Sequence, residues 1–170
     1  MQLDTGERGF SFAKEGPLDM RMNLDEGVTA RDIVAGWSEE ALGALFRDVG
    51  EERSWRRAAR AIVAARQKSP IETTLQLSAV IVEALGSGKT PHGKHRATQI
   101  FQALRIAVNS ELDDIEVALD KALKLVAPGG IVAAISFHSL EDRLVKNRFR
   151  EVTRPKADIV GSGGVRQEAT

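Results

Sequence analysis

The sequence predicts a mainly helical chain that carries one piece of a larger α/β fold. Three observations lead there. Residues 29–88 hold four successive amphipathic patterns with helix start and stop signals. The stretch from Pro128 to Phe149 reads as turn, buried strand, polar loop and helix. No other clear strand accompanies it, although a strand between helices belongs to a βαβ arrangement.

The stretch 128–149 takes its elements in that order. Pro128-Gly129-Gly130 signals a turn after the helical run Glu111 to Val126. Ile131, Val132, Ile135 and Phe137 make a short apolar run suited to a strand covered on both faces. Ser139 is a candidate cap for the next helix, with Asp142 completing a capping box. His138 and Ser139 then fall at the carboxyl end of the strand, the edge where open α/β sheets bind ligands.

Size and composition bound the rest. A chain of 170 residues suggests one domain, or one domain with an insertion. With no cysteine there are no disulfides and no thiolate metal ligands, which fits a reducing, cytoplasmic setting. No apolar run reaches the roughly 18 residues of a membrane span, and no secretory leader is visible, so no membrane partner is expected. Lys plus Arg and Asp plus Glu are 24 each, so nucleic-acid binding needs a local basic patch.

Residues 1–28 read as an ordered loop or short edge strand, anchored by Phe10, Phe12, Leu18, Met20 and Met22. Asp19 and Arg21 stand between anchors and suit a structural ion pair or a functional loop. Thr29 caps a helix over Ala30–Trp37, Ser38 starts a second that Gly50 ends, and Glu51 to Lys68 makes a third. Thr73 or Thr74 caps a fourth, completing a small bundle. On the third helix Arg53, Arg56, Arg57 and Arg60 recur at helical spacing, followed by Arg66 and Lys68 with no acid between. A solvated face is the ordinary explanation of such a pattern, and a phosphate-binding edge is the other.

Residues 86–98 contain Gly86-x-Gly88-Lys89-Thr90, but Val82 or Glu83 stands where a phosphate loop needs its first glycine. His92 and His95 lack a third ligand nearby, so no metal site is expected. Thr98 to Leu112 forms a helix with apolar residues almost all round, hence buried. Gln102, Arg105 and Asn109 share one face and need polar partners or a site. Residues 151–170 read as a loose tail.

Three segments together carry a resemblance. GERGFSF and GPLDMRMN within residues 6–23, ATQIFQALRIAVNSEL at 97–112 and VAPGGIVAAISFHSLEDRLVK at 126–146 stand in the order seen in the RsmH/MraW-type small-subunit rRNA (cytosine-N4)-methyltransferases. The resemblance implies an incomplete Rossmann-like methyltransferase core with a helical insertion. Its segments are a core loop at 1–28, an insertion for substrate recognition at 29–94, a return to the core at 95–150 and a tail at 151–170. It implies S-adenosyl-L-methionine as methyl donor and a cytidine of small-subunit rRNA as acceptor. Gln2 matches a cofactor contact. Asp19, Arg21, Arg105, Asn109, His138 and Ser139 are expected on the substrate side, and Arg53, Arg56, Arg57 and Arg60 on the RNA backbone. No general base stands out. Asn23 replaces the usual Asp of the GPLDMRM segment, and Arg96 replaces a usual Pro. The glycine-rich cofactor loop and the acidic ribose ligand of the family lie upstream of the Gln2 segment. The chain is therefore expected to act with a missing amino-terminal half, or to self-associate, and to be inactive alone. The rival reading is a non-catalytic helical module that binds RNA or another protein.

Overall fold

The computed structural model describes residues 6–87, 93 and 95–153. Among these residues there are seven α-helices and no β-strand. The chain divides into two compact units, Met1–Glu111 and Leu112–Thr170.

In the first unit the caps set the helix starts. α1, Ala30–Gly36, begins at a full capping box: the Thr29 hydroxyl accepts from the Asp32 amide, and Asp32 Oδ2 accepts from the Thr29 amide at 2.8 Å. α2, Glu39–Asp48, starts on Ser38, whose Oγ accepts from the Ala41 amide at 3.2 Å. α3, Trp55–Lys68, starts four residues later than its periodicity suggests. Glu51 takes a positive φ of 49°, and the Glu52 carboxylate folds back to accept from the Ser54 amide at 2.7 Å. That local carboxylate turn displaces the first helical turn. α4, Thr74–Leu85, has a second capping box between Thr73 and Gln76.

α5, Thr98–Asn109, ends at Ser110 in the left-handed conformation. It is the buried helix expected: Ile100, Phe101, Ala103, Leu104 and Ile106 all lie inside. Leu42 and Phe46 of α2, Ile62 of α3, and Leu77 and Ile81 of α4 complete one core with it. α2 packs on both α3 and α5. Gly43 permits the close crossing, since a Cβ there would lie 2.8 Å from the Trp55 ring.

The segment 9–28 is a loop rather than an edge strand, with a single isolated antiparallel bridge between Pro17 and Thr73 among the described residues. Leu18 and Met20 are 1% exposed and anchor it, whereas Met22 is 44% exposed and does not.

The second unit is built on α6, Glu111–Leu125, and α7, Ser139–Thr153. The Pro128-Gly129-Gly130 turn forms, with Gly129 at a φ of 83°. The strand expected over 131–137 does not. A strand exists by pairing its backbone with a neighbour, and the described residues offer none. Ser139 is likewise not the cap of α7 but its first helical residue. His138 takes the capping place: its Nδ1 accepts from the Glu141 amide at 3.4 Å and its carbonyl from the Asp142 amide at 3.1 Å. Gln2 and the residues beyond Thr153 lie outside the described residues.

Candidate substrate-side site

The loop 16–24 is tied into the first unit by backbone bonds that reach the starts of two helices. The amides of Ala30 and Arg31, at the start of α1, donate to the carbonyls of Asp19 and Leu18 at 2.8 and 2.7 Å. The Leu18 amide donates to the Glu72 carbonyl and the Thr74 amide to the Gly16 carbonyl, at 2.9 and 3.0 Å, beside the start of α4. The Thr74 hydroxyl adds a bond to the Lys14 carbonyl at 2.6 Å. Helix amino ends carry unsatisfied N–H groups, so these loop carbonyls both gain donors and satisfy the helices. Gly9, at a φ of 74°, lets the chain pass, since a Cβ would stand 2.1 Å from the Pro17 carbonyl oxygen.

Met20 sits at the loop's turning point with a φ of 64°, which is uncommon for a non-glycine residue. Its neighbours on both sides form a bidentate ion pair. Arg21 Nε donates to Asp19 Oδ1 at 2.8 Å and a terminal nitrogen donates to Oδ2 at 2.9 Å. The Arg21 hydrogen bonds are the main reason the Asp19 carboxyl is held below its ordinary value, against the opposing effect of burial. Arg21 also donates to the Leu24 carbonyl at 3.0 Å.

Asn109, on α5, clamps the same loop. Its side-chain amide donates to the carbonyls of Met20 and Arg105 at 2.8 Å each, and its Oδ1 accepts from the Met22 amide at 2.7 Å. Arg105 itself is turned to Glu111 in a second bidentate pair, at 2.8 and 2.9 Å. The structure therefore brings Asp19, Arg21, Asn109 and the Arg105 carbonyl into one hydrogen-bonded group. Both arginine forks are occupied by carboxylates.

Arg8 belongs to this group, and sequence reasoning did not single it out. It donates to the carbonyls of Arg21 and Met22 at 2.7 and 2.9 Å. Its place beside Gly9 in the first of the three matching segments was the available signal. Asn23 makes a local turn. It accepts from the Asp25 amide at 3.1 Å and donates to Glu26 at 3.0 Å.

The cations of α3 form a separate set. Arg53, just before the helix, and Arg56, Arg57 and Arg60 on the helix are all exposed. Arg57 donates to the Ala84 carbonyl, and Arg60 stands 3.5 Å from Glu39. Among the described residues no carboxylate pairs with Arg53 or Arg56. The Trp55 ring lies against two guanidinium groups, Arg56 at 4.1 Å and Arg47 at 5.3 Å from its centroid. Sequence reasoning missed this aromatic and arginine grouping too, although Trp55-Arg56-Arg57 spells it out in the chain.

In the second unit, His138 Nε2 lies 3.2 Å from Glu141 Oε1, while Glu141 Oε2 accepts from the Phe137 amide at 2.7 Å. Glu141 and His138 thus fix the turn into α7 together. Ser139 follows as the first residue of that helix.

The chain belongs to the MraW methylase family, which matches residues 1–162. Among its relatives, it is 53% identical over 162 residues to the ribosomal RNA small subunit methyltransferase H of Protochlamydia amoebophila (strain UWE25). That match covers 95% of this chain and 51% of the relative. It is 52% identical over 149 residues to the protein of the same name from Syntrophotalea carbinolica, covering 88% of this chain and 48% of that one. The Halothermothrix orenii protein of that name is 48% identical over 153 residues, covering 90% and 49%. The chain spans about half the length of the curated relatives it matches.

Proposed function

We propose that this chain is the substrate-side portion of an enzyme that methylates the exocyclic N4 amine of a cytidine in small-subunit rRNA. The observation that carries the reading is the match at about half identity to proteins named for small-subunit rRNA methylation. S-adenosyl-L-methionine is the donor the family implies, and it supplies an activated methyl group. The described residues do not fit that donor. They contain no strand followed by a glycine-rich loop and helix, and segment 131–137 has no neighbouring strand that would build a sheet edge. Gln2 is a proposed contact of the assembled enzyme.

What these residues contribute is the handling of the acceptor. A cytosine amine is a poor nucleophile because its lone pair is delocalised into the ring, so position and proton acceptance matter. The acceptor base must leave its stack to be reached. The loop 19–22 is held rigidly by Asn109 and Arg8 and is proposed to form one wall for that base. Arg105 supports the wall through its carbonyl. His138 and Ser139 are proposed to act on the substrate side as well. Arg53, Arg56, Arg57 and Arg60 are proposed to meet RNA phosphates, with Trp55 and Arg56 offering a flat cationic surface for an unstacked base.

Titration calorimetry tests the proposal. S-adenosyl-L-methionine is added to the chain alone and then to the chain co-produced with the amino-terminal half of the Protochlamydia relative. Binding in the second case only is expected. RNA binding with no cofactor binding in either case identifies a non-catalytic RNA module instead.

A further inference from the structure

The first unit holds a groove that none of the residues placed above explains. It opens between α1 and the connection from α3 to α4, and its volume of about 470 Å³ is that of a small-ligand site. The buried Ile71 and the more exposed Ala35 and Pro70 give it an apolar lining. Arg31 and Arg66 line it as well, and among the described residues no carboxylate forms an ion pair with either. Arg66 is held in place by donating to the Val34 carbonyl at 2.6 Å. Two acids, Asp32 and Glu72, complete the polar lining. The Thr29 hydroxyl hydrogen bond is the main reason the Asp32 carboxyl is held below its ordinary value, so it stays an acceptor.

We propose that this groove seats the base of a nucleotide that flanks the methylated cytidine. The inference rests on the reading of the chain as the substrate side of an RNA methyltransferase, and it adds a second nucleotide to that side. Charge selects the occupant. Two guanidinium groups and two carboxylates sum to zero, so a bare phosphate gains from one pair and is repelled by the other. A nucleobase has flat apolar faces for Ile71, Ala35 and Pro70. Its edge offers acceptors to the arginines and N–H donors to the acids. Position points the same way. At one side of the groove the amides of Ala30 and Arg31 are bonded to the carbonyls of Asp19 and Leu18, and Asp32 lies within electrostatic reach of Arg21. At the other side is Gln67, which also lines the groove. It stands seven residues after Arg60 and eleven after Arg56, two and three turns along the same face of α3. A strand whose target base meets loop 19–22 and whose phosphates meet the α3 cations crosses the groove on the way.

The test uses the 170-residue chain and a short single-stranded oligoribonucleotide of uridine with one central cytidine. A photoreactive 4-thiouridine replaces one uridine at a time on either side of the cytidine. Affinity is read by fluorescence anisotropy at low salt, and crosslinked peptides are mapped by mass spectrometry. The expected result is a crosslink within 31–37 or 66–72 from a position beside the cytidine. Ala35→Trp fills the groove and should remove that crosslink and weaken binding about tenfold. Crosslinks to Trp55 should persist in the variant. Gln67→Ala deletes one polar group at the groove and should weaken binding about threefold. Ala35 and Gln67 are both exposed, so the helical circular dichroism of each variant should equal that of the wild type. RNA bound with crosslinks only outside 31–37 and 66–72 overturns the inference and leaves the RNA reading standing. So does wild-type affinity in both variants. An oligonucleotide that does not bind the wild-type chain at all removes the RNA reading and the groove's role together.

Discussion

At the scale of the residue, Asp19 and Asn109 carry the candidate site. Both stand out in the sequence as polar residues needing partners, and the partners are largely each other's surroundings. Asp19 pairs with Arg21, and Asn109 holds the backbone on both sides of Arg21 through the Met20 carbonyl and the Met22 amide. Asn109→Ala leaves those two loop groups without that partner. The expected cost is about 1–3 kcal/mol in chemical denaturation, with faster amide exchange at Met22.

Asp19 adds a pH dependence. Its carboxyl titrates below its ordinary value in the folded chain, so the unfolded chain takes up the proton first. The stabilisation is complete above the unfolded value of about 4 and is lost as the pH falls through the lower folded value. Asp19→Asn should flatten the stability curve on this acid limb while leaving its shape near neutrality. Equal acid slopes for variant and wild type contradict the account. What the sequence left open was which way Arg105 turns. Arg105 and Asn109 have the same helical spacing, yet one reaches a carboxylate six residues on and the other reaches a loop nearly ninety residues away. Periodicity assigns a face and not a partner.

At the scale of the element, helix starts were legible wherever a side chain makes the cap. Thr29 and Ser38 cap as their spacing predicts, and of the two candidates Thr73 and Thr74 it is Thr73 that caps, because a hydroxyl three residues before an amide has a local geometry independent of the rest. Thr73→Ala should cost about 1 kcal/mol, read as a shift in the denaturation midpoint. The start of α3 and the start of α7 were not legible. Glu52 and His138 take the amides there, and neither residue belongs to the usual capping set. Packing also acts at this scale. Gly43→Ala places a methyl group against the Trp55 ring and should disturb the α2–α3 crossing, lowering the melting temperature and shifting the Trp55 fluorescence. The α3 cations allow a further prediction. Arg53→Gln with Arg56→Gln should weaken RNA binding with little effect on stability. The slope of log K against log salt should fall by about 0.7 for each single-strand phosphate that the variant no longer neutralises. An unchanged slope removes these two residues from the RNA face.

At the scale of the whole molecule, the helical bundle was readable and the strand was not realised. Ile131 to Phe137 has the composition of a buried strand, but composition supplies only one partner of a pairing. Helices close their hydrogen bonds within themselves, so α1 to α5 form from local signals and a shared core. A parallel strand depends on chain elsewhere. The same contrast explains why the loop 16–24 and its Asn109 clamp are assembled here while 131–137 forms no sheet among the described residues. The most direct measurement is methyl transfer from radiolabelled S-adenosyl-L-methionine to naked or subunit-bound small-subunit rRNA, with the product nucleoside identified by mass spectrometry. The account predicts N4-methylcytidine when this chain is co-produced with the amino-terminal half of a relative, and none from the 170-residue chain alone. Turnover by the chain alone, or a different modified nucleoside from the complex, contradicts it.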